Sequence, residues 1–407
     1  MTTPRTTLLI TLTGRDRPGV TSRLFGALAR YPLSVLDIEQ VVIRGRLVLG
    51  VLLGCDAAPD LTGIHAAVSA LAADLGLDLE ITTGTDRGSR REQGGSRGGP
   101  GGGLLHVTVL GSPLGPAAVT AIAGQIAASG ANIDRIGRLA TEPVTCIEMD
   151  VSGGDPALLR ADLARAAAEH GIDVAVQRGG LHRRALRLIV MDVDSTLIQD
   201  EVIDLLAARA GCADEVAKVT AAAMRGELDF GASLRERVAL LAGLDAGVLE
   251  DVRADLRLTA GARTLIKTLA GLGYKAGIVS GGFVQVIAPL ARELGISYVA
   301  ANELAISGGK LTGQVCGPVI DRAAKAEALR RFAADAGVPL SQTVAVGDGA
   351  NDLDMIAAAG LGVAFNAKPV VRDAADTSLS VPYLDAILYL LGISSEDVTA
   401  APLIDPA

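Results

Sequence analysis

The chain has 407 residues, of which 49% are hydrophobic and 20% charged, and its formal net charge at pH 7 is −9. This length predicts two to four domains, each able to bury a core of its own. The negative charge argues against a nucleic-acid partner, and the N-terminal residues predict neither a signal peptide nor a membrane span. The four cysteines lie far apart, without metal-type or disulfide-type spacing, and are expected to be buried thiols in a reducing cytoplasm.

The first 178 residues show the same pattern twice. Residues Thr6 to Thr82 predict strand, helix, strand, strand, helix, strand, and Leu105 to Val176 repeat that order. This is the ferredoxin-like split arrangement, βαββαβ. Between the copies, Gly88 to Gly103 is rich in Gly, Ser and Arg and predicts a flexible linker. The predicted domains are residues 1–84 and 104–178, joined by a linker at 85–103.

Two features of these copies resemble the ACT domain. The loop Gly14-Arg15-Asp16-Arg17-Pro18-Gly19-Val20 precedes the first helix, and an Asn/Asp-Ile strand follows, Leu36-Asp37-Ile38 in one copy and Asn132-Ile133-Asp134 in the other. ACT domains bind small ligands, usually amino acids, at the first loop and first helix. The second copy has Ser112-Pro113 in place of Arg-Pro-Gly, which puts a ligand there in doubt.

The resemblance implies an amino-acid site near four residues of the two copies. Asp16 would face an ammonium group, while Gly19 and Gly111 would let a ligand approach the backbone closely. Asn132 completes this set in the second copy. A pair of structural or dimerising modules without a ligand is the alternative.

The C-terminal half is organised around an apolar run, Leu188 to Met191, that ends in Asp192 and Asp194. The run predicts a buried parallel strand, and ligands of open α/β sheets bind at the carboxyl ends of the strands. Residues i and i+2 of an extended chain point to one side. Two carboxylates so close depend on a cation or a shared proton, and Mg²⁺ is the natural partner. The alternative is a polar strand end followed by a turn.

Further polar groups follow other predicted strands. Ser280-Gly281 follows Tyr274 to Val279, and Gly347-Asp348-Gly349-Ala350-Asn351-Asp352 follows Thr343 to Val346. Between Glu201 and Leu256, four segments with helical spacing predict a lid over the crevice. Leu361 to Phe365 is predicted to be the last strand of the sheet.

Five segments together resemble the phosphoserine phosphatase family of the haloacid dehalogenase superfamily. They are Asp192-Val193-Asp194-Ser195-Thr196, Ala223 to Phe230, Ser233 to Val238, Val279 to Phe283 and Gly347 to Asp352. The resemblance implies an α/β fold: a Rossmann-like parallel sheet with a small helical cap, preceded by the two ACT domains. The core would comprise residues 179–200 and 257–395, the cap 201–256 and the tail 396–407.

The resemblance also implies roles for single residues. Asp192 would be the nucleophile that becomes phosphorylated, and Asp194 the general acid and base. Mg²⁺ would be held by Asp192, by the backbone carbonyl of Asp194 and by Asp348.

Substrate-binding residues are implied in the same way. Arg237 would grip a carboxylate, Glu201 an ammonium group, and Met224 and Phe230 would form an apolar roof. The phosphate would contact four residues: Ser280, Gly281, Lys325 and Asn351.

The family implies hydrolysis of O-phospho-L-serine to L-serine and phosphate in the cytoplasm, the last step of serine biosynthesis. The ACT pair would bind an amino acid, L-serine by expectation, and the chain would form a homodimer. One alternative is the same chemistry on another small phosphorylated metabolite. An alternative of another class is an amino-acid-binding regulator with a vestigial catalytic domain.

Overall fold

The computed structural model describes residues 5–55, 60–86, 104–179, 183, 185–225 and 227–400. The chain forms two compact units, Met1–Gly94 and Gly95–Ala407. The predicted linker from Gly88 to Gly103 lies outside the described residues. In the described part, no helix combines the length and apolar character needed to cross a membrane.

The first unit is a four-stranded antiparallel sheet in the order β2-β3-β1-β4, with two helices. Leu8, Ile10 and Leu12 of β1 face inward, alternate with the less buried Leu9 and Thr11, and pack in one core with Leu24 and Val68 of the helices. The predicted βαββαβ order is confirmed. The elements are β1 (Arg5–Arg15), α1 (Val20–Leu28), β2 (Leu33–Ile43), β3 (Arg46–Cys55), α2 (Leu61–Leu75) and β4 (Leu77–Asp86).

The second unit begins with another βαββαβ module. Val107 and Val109 of its first strand pack against Ile122 and Leu163 of its two helices. The elements are β5 (Leu105–Gly111), α3 (Pro116–Ala128), β6 (Asn132–Ala140), β7 (Thr145–Ser152), α4 (Pro156–His170) and β8 (Asp173–Arg178).

The rest of the second unit is built on a largely parallel sheet. Its central strand, β9, is fully buried and pairs in parallel with β10 on one side and β13 on the other. Because β9 is covered on both faces, its sequence is a continuous apolar run rather than an alternating one. The strands are β9 (Leu188–Met191), β10 (Lys275–Phe283), β11 (Tyr298–Ser307), β12 (Lys310–Cys316), β13 (Thr343–Gly347), β14 (Leu361–Phe365) and β15 (Thr377–Leu379).

Four helices leave the sheet after β9 and form the cap, as the sequence predicted. They are α5 (Val202–Ala210), α6 (Ala213–Met224), α7 (Phe230–Ala239) and α8 (Val248–Asp255). The remaining helices are α9 (Ala262–Gly271), α10 (Val284–Leu294), α11 (Arg322–Ala336), α12 (Leu353–Ala358), α13 (Pro369–Ala374), α14 (Ile387–Leu390) and α15 (Ser395–Ala400).

The prediction that Leu361 to Phe365 is the last strand is wrong. Thr377–Leu379 forms a further strand, too short to show a period in the sequence. This strand pairs with β14 in parallel and, through Thr377 and Ala175, with β8 in antiparallel orientation. The second βαββαβ sheet and the parallel sheet therefore form one sheet of eleven strands, in the order β12-β11-β10-β9-β13-β14-β15-β8-β5-β7-β6.

Arg183 links the two parts of this long sheet. It is 8% exposed and donates to the backbone oxygens of Tyr389 and Leu390, each at 2.8 Å. Its guanidinium also forms an ion pair with Glu148 of β7. One buried cation thus satisfies the last carbonyls of α14 and a carboxylate of the neighbouring module.

The expectation of four buried thiols holds for Cys55 and Cys146 only. Cys212 is half-buried, and Cys316 is exposed because it ends the outermost strand β12. Cys146, Cys212 and Cys316 are free cysteines.

Candidate active site

The candidate site lies where three neighbouring strands of the parallel sheet end. Strands β10, β9 and β13 are adjacent, so Ser280, Asp192 and Asp348 meet at one edge. A cavity of about 500 Å³ opens there, with the sheet on one side and the cap on the other. Of the predicted residues, the following line it: Asp192, Asp194, Glu201, Phe230, Arg237, Gly281, Asp348 and Asn351.

Lys325 lies behind this wall between two carboxylates. It is completely buried, and its Nζ is 2.7 Å from Asp192 Oδ2 and 2.7 Å from Asp352 Oδ1. Burial alone would lower the pKa of Lys325, but the charges of Asp192 and Asp352 outweigh it and raise that pKa. The lysine is therefore a fixed ammonium that holds Asp192 in place.

Asp194 connects the core to the first cap helix. Its Oδ2 accepts a hydrogen bond of 2.7 Å from Ser280 Oγ, and its Oδ1 accepts one of 2.8 Å from the backbone N–H of Val202. Ser280 Oγ in turn accepts from the N–H of Gly282 at 2.7 Å. A Cβ on Gly282 would lie 3.0 Å from Asp194 Oδ2, so a residue without a side chain fits here.

Three carboxylates at this edge are suited to a metal ion. Single oxygens of Asp192, Asp348 and Asp352 lie within 4.8 Å of one another. Burial raises the pKa of Asp192, the charge of Asp352 raises it further, and Lys325 opposes both. Burial and the charge of Asp352 likewise raise the pKa of Asp348 to about 6. Crowded carboxylate oxygens with one ammonium among them form a hard donor set that fits a divalent cation.

Asp352 is a site residue that the sequence reasoning missed. It is fully buried, and its Oδ2 accepts a hydrogen bond of 3.0 Å from the N–H of Gly349 while its Oδ1 accepts from Lys325. Its signal was present as the second acid of the Gly347–Asp352 motif. The sequence does not show which of two acids in such a loop faces inward.

The cap presents charged groups of both signs to the cavity. Glu201 Oε1 accepts a hydrogen bond of 2.8 Å from Ser195 Oγ. Its side chain opens onto the cavity, yet the surrounding protein displaces bulk water; this desolvation and the charge of Asp194 raise the pKa of Glu201 to about 7. Burial lowers the pKa of Arg237, while Asp204 and Glu201 oppose that effect.

Asp204, Ser233 and Lys368 also line the cavity and were not predicted. Asp204 lies in the first turn of α5, three residues after Glu201, which is the extended residue that immediately precedes the helix. Lys368 immediately precedes α13 and is exposed. Asp204 and Lys368 carry no sequence signal that distinguishes them from other polar residues at the start of a helix.

Phe230 brings the cap into contact with the core. A Cβ on Gly281 would lie 3.0 Å from Phe230 Cζ, so the ring packs directly on that backbone. The side chain of Met224, predicted to share the roof, lies outside the described part of the structure. Ser280 is fully buried beneath the cavity wall.

The four predicted ACT ligand residues lie in both units. Asp16 and Gly19 are exposed in the loop before α1, where Gly19 has a φ of 90°. Gly111 is buried, and the space of its missing side chain is filled by Leu114 and Ile172, whose nearest atoms would be 3.0 and 3.2 Å from a Cβ. Gly111 thus accommodates its own loop rather than an approaching ligand.

The last of the four, Asn132, is exposed at the start of β6. Its Nδ2 donates a hydrogen bond of 2.7 Å to Asp134 Oδ1.

Family models match three parts of the chain. A model of haloacid dehalogenase-like hydrolases matches residues 189–357, and two ACT domain models match residues 6–82 and 105–177. These regions agree with the parallel sheet and with the two βαββαβ modules described above.

Two relatives match almost the whole chain. The phosphoserine phosphatase of Streptomyces coelicolor is 60% identical over 396 residues, which cover 97% of this chain and 94% of the relative. Phosphoserine phosphatase SerB2 of Mycobacterium tuberculosis is 52% identical over 401 residues, 98% of this chain and 96% of the relative.

A solved structure agrees with the fold. The unliganded probable phosphoserine phosphatase of Vibrio cholerae has a TM-score of 0.57 and 34% identity, covering 73% of this chain and 90% of that one. With the full-length similarity, the adjoining strand ends and the capped cavity, the chain belongs to the phosphoserine phosphatases, haloacid dehalogenase-like hydrolases that here carry two ACT domains.

Proposed function

We propose that the chain hydrolyses O-phospho-L-serine to L-serine and phosphate. The observation that carries this proposal is that the two sides of one cavity, the sheet side and the cap side, present different charged groups. The sheet side offers Asp192 with its buried ammonium partner, Lys325, while the cap side offers Glu201 and Arg237. A phosphate, an ammonium group and a carboxylate therefore each have a counterpart, and phosphoserine carries all three.

In the proposed reaction, a carboxylate oxygen of Asp192 attacks phosphorus in line, and the bond from phosphorus to the serine oxygen breaks. Asp194 gives its proton to the departing serine oxygen. Water then attacks phosphorus of the aspartyl phosphate, Asp194 takes the proton of that water, and phosphate and free Asp192 are regenerated. Lys325 keeps Asp192 oriented and places positive charge beside the two anions that must meet.

We assign the metal to the same edge of the sheet. Asp192, the backbone carbonyl of Asp194 and Asp348 would hold Mg²⁺, with Asp352 supporting them through Lys325. When bound, Mg²⁺ supplies charge that neutralises the phosphate dianion.

The positions of Arg237, Glu201 and Phe230 in the cavity wall support the binding roles that we propose for them. Arg237 takes the substrate carboxylate, Glu201 the ammonium group, and Phe230 closes the roof over Gly281. Met224 is assigned to the same roof. The phosphate contacts the Gly281 N–H and the side chains of Ser280, Lys325 and Asn351.

Regulation and assembly complete the proposal. The ACT modules bind an amino acid, L-serine, which lowers turnover; the exposed loop at Asp16 and Gly19 is the better candidate site, because Gly111 has no free space. The proposed domains are residues 1–84, 104–178, a core of 179–200 and 257–395, and a cap of 201–256. The enzyme works in the cytoplasm as a homodimer.

The experiment that tests the substrate is phosphate release with Mg²⁺ from O-phospho-L-serine and from analogues that each lack either its carboxylate or its ammonium group. O-phosphoethanolamine lacks the carboxylate, and the phosphate ester of 3-hydroxypropionate lacks the ammonium group. Arg237→Ala should impair phosphoserine turnover far more than phosphoethanolamine turnover. Equal turnover of all three esters by the wild type would favour a phosphatase of another small metabolite, and no turnover of any would favour a regulator with a vestigial catalytic domain.

A further inference from the structure

Ser233 carries a hydroxyl that the protein itself leaves without a partner. The residue is 2% exposed and its Oγ has no hydrogen-bond partner. Across the described residues, only Thr108 Oγ1 shares this state among buried side-chain nitrogen and oxygen atoms. Buried hydroxyls nearly always have partners, because an unsatisfied one costs free energy. Thr108 lies within the sheet on β5, whereas Ser233 lines the cavity of the candidate active site.

The position of Ser233 points to a particular part of a ligand. It lies on α7 one turn before Arg237, and Arg237 Nε donates to the backbone oxygen of Ser233 at 3.4 Å. The side chain of Arg237 therefore lies along the helical turn that carries the Ser233 hydroxyl. An anion held by Arg237 would lie beside Ser233.

A second hydroxyl in the cavity wall, that of Thr220, already has a hydrogen-bond partner within the protein. Thr220 Oγ1 donates to the backbone oxygen of Val216, one turn earlier on α6, at 3.0 Å. Ser233 makes no such bond to its own helix. The contrast leaves Ser233 available to a group that enters the cavity.

We infer that Ser233 determines specificity by donating a hydrogen bond to the substrate carboxylate that Arg237 holds; this rests on the proposed function. Glu201 and Asp204, at the N-terminal end of α5, are acceptors in the cavity wall and repel a carboxylate, so the donors of the cap are concentrated on the α7 turn. A substrate without a carboxylate leaves the buried hydroxyl unsatisfied. A site built in this way discriminates against the analogue that lacks the polar group.

The test compares kcat/KM for O-phospho-L-serine and O-phosphoethanolamine in Ser233→Ala, which removes the hydroxyl, and in Ser233→Cys, which replaces it with a slightly larger thiol that donates only weakly. The kcat/KM for phosphoserine divided by that for phosphoethanolamine should fall about tenfold in both variants, because a hydrogen bond to a charged group is lost. The fall should come mainly from a higher KM for phosphoserine. Thr220→Val, a matched loss of a hydroxyl that already has a partner, should leave the ratio within about twofold of wild type. If phosphoethanolamine is not turned over, its inhibition constant replaces its kcat/KM.

Coupling to Arg237 gives a second readout. In an Arg237→Ala background, Ser233→Ala should change the ratio much less than in the wild type, because both act on one group. An unchanged ratio in the Ser233 variants, or an equal fall for both substrates, would overturn the inference and leave the proposed function standing. A wild type that does not hydrolyse phosphoserine would overturn the proposed function and, with it, the carboxylate partner assigned to Ser233.

Discussion

The hydroxyl of Ser280 donates a hydrogen bond of 2.7 Å to Asp194, eighty-six positions earlier in the chain. The same hydroxyl accepts from the N–H of Gly282, so it is fixed from two sides. This bond joins the segment that follows β9 to strand β10 and holds the proposed acid at the cavity. It also means that Ser280 must exchange partners if it is to contact a phosphate.

Replacing Ser280 should therefore impair the reaction through Asp194 as well as through phosphate binding. We expect Ser280→Ala to lower kcat/KM at least tenfold, because a charge-assisted hydrogen bond is worth about 1.5–3 kcal/mol. Ser280→Thr keeps the hydroxyl and should retain most of the activity. Steady-state kinetics with phosphoserine checks both variants, and equal losses in the two would show that the hydroxyl is not the feature that matters.

Glu201 should make substrate affinity depend on pH. Its pKa is raised to about 7, so the carboxyl is neutral below that pH and cannot pair with an ammonium group. We expect the KM for phosphoserine to rise as pH falls below about 7, approaching tenfold per pH unit, since each unit lowers the ionised fraction tenfold. The phosphate ester of 3-hydroxypropionate, which lacks only the ammonium group, serves as the control substrate.

Glu201→Gln completes that test. The variant should bind phosphoserine weakly at every pH and lose the rise in KM below neutrality. A wild-type KM that is flat between pH 6 and 8 would contradict the assignment of Glu201 to the ammonium group.

Arg183 should contribute strongly to stability. Arg183→Met leaves Glu148 and the carbonyls of Tyr389 and Leu390 without their buried cation. Breaking a buried pair by removing one partner costs about 3–5 kcal/mol, so the midpoint of urea unfolding of the second unit should fall markedly.

An exposed arginine of the second unit provides the control. Arg165 pairs with Asp162 three residues away, with side chains 68% and 38% exposed. Arg165→Met should cost no more than about 1 kcal/mol, as exposed pairs do. Comparable shifts for the two variants would mean that Arg183 does not hold the two parts of the long sheet together.

The outermost strand of the first unit should mediate dimer formation. On β2, the exposed fractions are 51% for Val35, 50% for Val41 and 65% for Ile43, and among the described residues no strand pairs with its outer edge. Exposed apolar edges pair with another chain, and a lysine on the edge prevents this. We expect light scattering to give a dimer for the wild type and a monomer for Val41→Lys.

Leu272→Lys is the matched control for that experiment. Leu272 is 54% exposed but lies after α9 in the second unit, so its replacement should not change the mass. A wild-type monomer over a wide concentration range would contradict the proposed homodimer.

Much of the fold and site could be predicted because buried parallel strands have a recognisable sequence pattern. Asp192, Ser280 and Asp348 each follow a continuous apolar run, and strand ends of such sheets converge. Asp204 and Ser233 could not be predicted, since a polar residue on a cap helix has the same sequence signature whether it faces the cavity or the solvent. The pairing between β15 and β8 could not be predicted either, because it depends on a single pair of facing residues, Thr377 and Ala175, which are 202 positions apart in the sequence.

The most direct test of the central claim is phosphate release from O-phospho-L-serine by wild type and Asp192→Asn, with Mg²⁺ and with excess chelator. Asn keeps the shape of Asp192 but is a poor nucleophile, so the variant should fold as the wild type does and lose essentially all turnover. Wild type should release phosphate with Mg²⁺ and stop in chelator. Turnover by Asp192→Asn close to that of the wild type would contradict the assignment of Asp192 as the phosphorylated residue, and an inactive, well-folded wild type would contradict the proposed substrate.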